Sequence, residues 1–368
     1  MSSFLRPDLL ALSAYSTHAP ETGAEPPAVI DVLDTNECPY DLPEPLKEKL
    51  GWIYRHDIAA NRYPASDPQA LRRAIAGYVN ESGQISGAIT AEHISVGNGS
   101  DELIRSLLIA TCTGRAGAIL VAEPTFSMYA ILAQTLGIPV VKVPRAESTF
   151  AVDVVAAQQA IATSEVPVRV VFMVHPNSPT ANPLTAAELD WLRQLPSDIL
   201  VVVDEAYFEF SQHTTVADVL QRPNWVVTRT FSKAFRLAAH RVGYAIAPTS
   251  IIQVLEKVRL PYNLSSFSQV AATLALAHRE DLLAAIPEVL AERDRLFAAL
   301  QTIPAMQVWP SAANFLYARS TQPSNQAVFE ALRQQGTYIR HTGGGLRITV
   351  GSPDENARTG DRLQALFA

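Results

Sequence analysis

Three charged residues in the second half of the chain are placed to do chemistry together. Lys233 closes Thr230-Phe231-Ser232-Lys233, Asp204 ends the apolar run Leu200–Val203, and Arg241 lies in His240-Arg241-Val242-Gly243-Tyr244. A lysine at a helix start is ordinarily a surface residue. Here the run Trp225–Thr230 reads as a buried strand, so Lys233 falls at a strand-to-helix turn, where sheets present ligands. Desolvation there lowers an amine's pKa and leaves it free to attack an aldehyde. An acid at the end of the neighbouring strand can protonate a pyridine nitrogen, and an arginine fork can grip a phosphate. A Schiff-base amine, a ring-nitrogen acid and a phosphate arginine are what pyridoxal 5'-phosphate (PLP) requires of a protein.

Further residues extend this set. Gly97-Asn98-Gly99-Ser100-Asp101-Glu102 follows a strand and opens a helix, so free N–H groups and the helix dipole favour an anion at Ser100 and Asp101. Glu102 occupies the third glycine position of a dinucleotide fingerprint, which argues against a nicotinamide cofactor. Tyr207 can hydrogen-bond a ring hydroxyl, and Phe126, just after a strand, can stack on a flat ring or fill the core. Arg347, inside the apolar strand Leu346–Val350, is costly unless paired or facing a cleft, and reads as a receptor for a substrate anion. Arg340 is a second candidate for that role.

These residues need a scaffold. Short apolar runs at His93–Val96, Ala118–Ala122, Val140–Val143, Val168–Val174, Ile199–Asp204, Trp225–Thr230 and Arg241–Ala247 alternate with helical patterns. Continuous Val/Ile/Leu content implies strands covered on both faces, hence an α/β fold with a mostly parallel sheet. Asp67-Pro68 opens a helix with Leu71, Ile75, Tyr78 and Val79 on one face, and Gly83 ends it. Another helix begins at Ser100-Asp101. Beyond Ser268, long Ala/Leu/Glu/Arg helices precede strands at Met306–Trp309, Asn314–Ala318, Tyr338–Arg340 and Leu346–Val350, the pattern of a smaller α+β domain. The expected division is an N-terminal segment, 1–45, packing on the small domain or a partner chain, a large domain, 46–268, and a small domain, 269–368.

Composition narrows the function classes. The 368 residues are 48% hydrophobic and 18% charged with a net charge of −7, enough apolar content for a large core and no basic stripe for nucleic acid. No apolar run reaches membrane-spanning length, and the N-terminus lacks the pattern of a secretory signal. The eight histidines show no metal-ligand spacing. Two isolated cysteines, Cys38 and Cys112, suggest reduced thiols and a cytoplasmic protein.

Taken together the motifs resemble the fold-type-I PLP-dependent aminotransferases, nearly end to end, and most closely their histidinol-phosphate branch. The resemblance is carried by Asn36-Glu37-Cys38-Pro39-Tyr40, Asn61-Arg62-Tyr63-Pro64, Asp204-Glu205-Ala206-Tyr207, Arg229-Thr230-Phe231-Ser232-Lys233-Ala234-Phe235, Pro261-Tyr262-Asn263 and Leu346-Arg347-Ile348-Thr349-Val350-Gly351. It implies Lys233 as the Schiff-base lysine, Asp204 at the ring nitrogen, Tyr207 at the phenolic oxygen and Phe126 on the ring. It places Ser100, Asp101, Ser232 and Arg241 around the phosphate, with Tyr63 reaching the neighbouring subunit's cofactor in a homodimer with shared sites. Tyr15 and Arg347 contact substrate. The implied partners are small molecules: glutamate, 2-oxoglutarate and histidinol phosphate. Aromatic-amino-acid aminotransferases and threonine-phosphate decarboxylase share these motifs, and a regulatory PLP-fold protein is the non-enzymatic alternative. The family's Asn-Asn-Pro-Thr-Gly stands here as Asn177-Ser178-Pro179-Thr180-Ala181, so either Asn177 or Ser178 meets the phenolic oxygen. Arg236, Ala239 and His240 also depart from the family pattern and bear on the pocket walls.

Overall fold

The computed structural model describes residues 4–10, 12 and 29–367. Tyr15 lies outside the described residues. Seven strands form the central sheet in the order Ile94–Asn98, Val242–Ile246, Trp225–Thr230, Leu200–Asp204, Val168–Val174, Ala118–Glu123 and Val140–Pro144. Val242–Ile246 runs antiparallel to both of its neighbours, and the other six strands are parallel. Every residue of Leu200–Asp204 and Trp225–Thr230 is buried, as strands covered by helices on both faces must be.

Strand alternation decides which side chains reach the site. Leu200 and Val202 pack in one core cluster and Val201 and Val203 in the other. Asp204 therefore falls on the face of Leu200 and Val202, level with Thr228 of the adjacent strand. Glu205 and Arg229 fall on the opposite face. There they form a fully buried pair, with Arg229 Nη2 and Nε at 2.9 and 3.0 Å from Glu205 Oε2 and the guanidinium 3.6 Å above the Phe208 ring. The pair ties the Asp204 strand to the Lys233 strand from behind. Removing one member strands the other charge in the core, which costs about 3–5 kcal/mol. Arg229→Ala should lose about that much stability in equilibrium urea denaturation; a loss below about 1 kcal/mol would show the pair contributes little.

The small unit is a four-stranded antiparallel sheet in the order Arg340–Thr342, Gly345–Thr349, Phe315–Ser320 and Met306–Trp309. Leu296, Leu300, Leu316, Ile348 and Leu363 build its core. The expected boundary at 268 falls inside the helix Ser266–Ala277. The buried Ala271, Ala272, Leu274, Ala275 and Leu276 of that helix belong to the core of the large sheet, so the small unit's own core starts later, with Ile286–Gln301. Its Ala/Leu-rich composition suits either core, and packing decides.

Residues 31–33 run along the small unit. Asp31–Val32 pairs in parallel with Thr337–Tyr338, Asp31 bridges Arg358 and Arg362, and Leu33 enters the small core. The chain then crosses to the large sheet as a short strap, residues 34–37.

Candidate active site

The C-terminal ends of the parallel strands, the helix start at Ser100 and the strap enclose a cleft of about 450 Å³. Lys233, Asp204, Tyr207, Ser100, Asp101, Phe126, Ser232, Arg241 and Arg347 all stand on its wall. These residues span most of the sequence, yet they converge on one end of one sheet, where side chains from different strands can meet.

At one end is an anion cradle. Arg241 Nη1 donates to Ser232 Oγ at 3.2 Å, and its Nη2 lies 3.5 Å from Asp101. Two glycines make the crowding possible. A Cβ on Gly99, which sits at φ +76°, would come within 2.6 Å of Arg241 Nη2, and one on Gly243 would lie 2.5 Å from the Ser100 nitrogen. The helix Ser100–Cys112 points its N-terminus into this corner. Burial raises the Asp101 carboxyl, while Arg241 and Lys233 oppose that rise.

Asp204 stands at the floor. Its Oδ2 accepts a 2.7 Å hydrogen bond from Tyr129, and Tyr129 stacks on Phe172. Its Oδ1 is buried and has no hydrogen-bond partner of good geometry among the described residues, although Thr228 and the Ala206 N–H lie close enough to favour its charge. Burial pushes this carboxyl up to about 6. A buried, half-satisfied carboxylate calls for a cationic N–H donor, and the protonated nitrogen of a pyridine ring is one. Together with the flat wall of Phe126 and the phosphate cradle, this orphaned oxygen shows that the residues present fit a phosphorylated pyridine.

Lys233 Nζ donates to the Thr35 carbonyl at 2.5 Å. Burial, aided by the positive charges of Arg347 and Arg241, pushes its amine down to about 8. A useful fraction is then uncharged near neutrality, as a nucleophile or proton acceptor requires. Tyr207 OH receives a 2.9 Å hydrogen bond from Asn36 Nδ2. Its pKa is raised, with burial outweighing the nearby Arg347.

Of the two neighbours at the phenolic position, Ser178 is on the cleft wall and Asn177 is not. The Asn177 amide is already full. Its Nδ2 donates to the Pro124 carbonyl (3.0 Å) and Thr180 (2.6 Å), and its Oδ1 accepts from Arg145 and Thr125, both at 3.3 Å. Ser178 Oγ instead receives Arg347 Nη1 at 3.2 Å, and Arg347 Nη2 donates to the Asp34 carbonyl. Arg340 stands opposite Arg347 on the adjacent strand and is not on the wall. Tyr63 is 81% exposed and stacked on Tyr262, outside the cleft of its own chain. Of the departures after Lys233, Ala239 lines the cleft, whereas Arg236 donates to the Asp41 and Leu282 carbonyls and His240 lies against Phe267.

Sequence reasoning gave no role to several residues that organise the site. Asn36 is a hub: it donates to Tyr207, its backbone N–H donates to Thr349 Oγ1 (3.0 Å), and its carbonyl accepts from Asn314 (3.1 Å). Its positive φ of 56° suits asparagine better than most residues. Tyr129 and Arg145 were likewise silent, and only their proximity to quoted motifs could have singled them out.

Comparison with known proteins gives a consistent result. The family described as "Aminotransferase class I and II" matches residues 30–363. Histidinol-phosphate aminotransferase of Thermosynechococcus vestitus is 58% identical over 366 residues, covering 99% of this chain and 97% of the relative. That of Trichodesmium erythraeum is 57% identical, with both chains covered completely. Among solved structures, histidinol-phosphate aminotransferase from Sinorhizobium meliloti in complex with pyridoxal-5'-phosphate superposes with a TM-score of 0.83 at 20% identity, covering 99% of this chain and 98% of the other. L-threonine-O-3-phosphate decarboxylase from Porphyromonas gingivalis shares the fold at a TM-score of 0.75 and 20% identity, over 92% and 99% of the two chains.

Proposed function

Because this chain belongs to the class I and II aminotransferases, we propose that it exchanges an amino group between glutamate and imidazole-acetol phosphate, yielding 2-oxoglutarate and histidinol phosphate in histidine biosynthesis. The observation that carries the reading is one cleft that sets the Lys233 amine among a phosphate cradle, the orphaned oxygen of Asp204 and the guanidinium of Arg347. Full-length identity to relatives of that name points to the substrate.

Bound pyridoxal 5'-phosphate supplies an aldehyde that bonds an amine and a ring that draws electrons from the carbon beside it. The protein does the rest. Ser100, Ser232 and Arg241 hold the phosphate, and Phe126 covers a face of the ring. Asp204 keeps a proton at the ring nitrogen. Tyr207 and Ser178 donate to the phenolic oxygen. Lys233 Nζ would take the proton from the substrate carbon as general base and give it back as general acid. Arg347 receives the substrate anion, and a guanidinium fork accepts a phosphate or a carboxylate through paired oxygens.

The working form is a cytoplasmic homodimer. Tyr63, Trp52, Tyr54, Leu260 and Tyr262 are exposed, an unusual concentration of aromatic surface for a monomer. Tyr63 then reaches the partner's phosphate. Among the described residues no helix is long and apolar enough to cross a membrane.

The decisive assay offers histidinol phosphate, phenylalanine, tyrosine and threonine phosphate as amino donors with 2-oxoglutarate. Glutamate should form fastest from histidinol phosphate. Carbon dioxide released from threonine phosphate, or a preference for aromatic donors, would overturn the reading. In the same assay Arg347→Ala should raise the KM for histidinol phosphate by about 30- to 150-fold, the worth of a charge-assisted pair, with a smaller change in kcat. An unchanged KM would move the anion receptor elsewhere.

A further inference from the structure

Three carboxylates stand on the cleft wall: Asp101, Asp204 and Glu37. The first two are engaged. Asp101 faces Arg241, and Asp204 accepts from Tyr129. Glu37 is exposed and makes no hydrogen bond or ion pair with any described residue. It is not a surface acid that merely drifts past the opening. The strap that carries it is pinned on both sides, since Asn36 bonds Thr349 and Asn314 of the small unit and Tyr207 of the large one. A carboxylate on a pinned strap, near enough to Lys233 to favour its charged form but with no hydrogen bond or ion pair to a described residue, is positioned on the cleft wall for a ligand.

The strap also orders its contacts. Asp34 meets Arg347 through its carbonyl, Thr35 meets Lys233 through its carbonyl, and Glu37 follows two residues later, beyond Asn36. Three residues of chain reach at most about 10 Å. Anion receptor, amine and free carboxylate thus succeed one another over the span of a small substrate. A molecule lying along them has an anionic end, a central amine and a second end that meets Glu37. That second end must donate a proton or carry positive charge, because a second anion would be repelled.

Resting on the aminotransferase reading above, we infer that Glu37 is a specificity residue that accepts a hydrogen bond from the imidazole N–H of the phosphorylated substrate. The same carboxylate disfavours the distal carboxylate of glutamate. The two half-reactions therefore respond to Glu37 with opposite signs, and a purely structural residue would shift both alike.

The test is Glu37→Gln in the PLP-loaded protein, with each half-reaction measured separately. The ratio of kcat/KM for histidinol phosphate to that for glutamate should fall about tenfold or more, the scale of one charge-assisted hydrogen bond at a partly exposed site. An unchanged ratio overturns the inference, as does a parallel loss in both. A second readout needs no turnover. Calorimetry should show wild-type protein binding 3-(imidazol-4-yl)propyl phosphate about tenfold more tightly than 3-phenylpropyl phosphate, and Glu37→Ala, which removes the acceptor, should bind the two alike. Equal binding by the wild type overturns the inference. Failure of the underlying reading is visible apart from this, as a wild-type protein that transfers no amine from histidinol phosphate.

Discussion

Lys233→Ala protein should fold, retain its secondary structure and transfer no amino group, with turnover at least about 10⁴-fold below wild type. The expected size follows from two losses at one position. On the proposed reading the amine is the nucleophile that captures the cofactor, and burial has brought it down to about 8 on the cleft wall. Acid–base assistance alone is worth about 10²–10⁴-fold, and loss of the covalent anchor adds to it. The fold should survive because the Lys233 side chain makes one hydrogen bond among the described residues, to the Thr35 carbonyl, and the buried Phe231 and Phe235 hold the turn in place. Borohydride reduction of loaded wild-type protein followed by peptide mapping should leave the pyridoxyl group on Lys233. A tag on another residue, or more than about a hundredth of wild-type turnover in Lys233→Ala, would remove Lys233 from this role.

The parts of the molecule that were legible in its sequence share a physical property: their signal is local. Val168–Val174 and Trp225–Thr230 occupy the expected residues, because an unbroken apolar run flanked by polar residues leaves little choice of strand ends. The helix Gln69–Ser82 stops before Gly83 as its composition implied. Lys233, Asp204 and Ser100 stood out as candidates because each sits at or just beyond the end of a strand. Arg241 itself was expected to start a strand but adopts a left-handed conformation just before it, with its carbonyl receiving the Gly99 N–H at 2.9 Å. What stayed hidden depends on contacts across the chain. A backbone carbonyl such as that of Thr35 has no residue-type signature. Whether Asn177 faces the cleft or the interior turns on Arg145, 32 residues away, whose own value to the site lies in filling that amide. The helix Ser266–Ala277 was grouped by its position in the chain, and only packing shows which core it completes.

Asp204→Ala should lower turnover by about 10³-fold, and Asp204→Asn by nearly as much, because what matters is charge rather than shape. The site invests heavily in this carboxylate. Burial opposes its ionisation and brings it up to about 6, yet among the described residues its Oδ1 has no hydrogen bond of good geometry while Oδ2 is held by Tyr129. An arrangement that costly persists only if a positive donor completes it. On the proposed reading a ring-nitrogen proton would do so, and the Asp204 carboxylate would hold that proton in place. Preorganised charges of this kind typically supply about 10²–10³-fold each, and a fully buried one belongs at the upper end. The asparagine variant separates the two explanations for any loss. It preserves the volume and can still accept from Tyr129, so a purely structural role predicts near-normal turnover in Asp204→Asn. A proton-holding role predicts a slow enzyme that still binds the cofactor and whose visible absorption is shifted by the change in ring protonation. Asp204→Asn protein with more than a tenth of wild-type turnover would place the proton elsewhere.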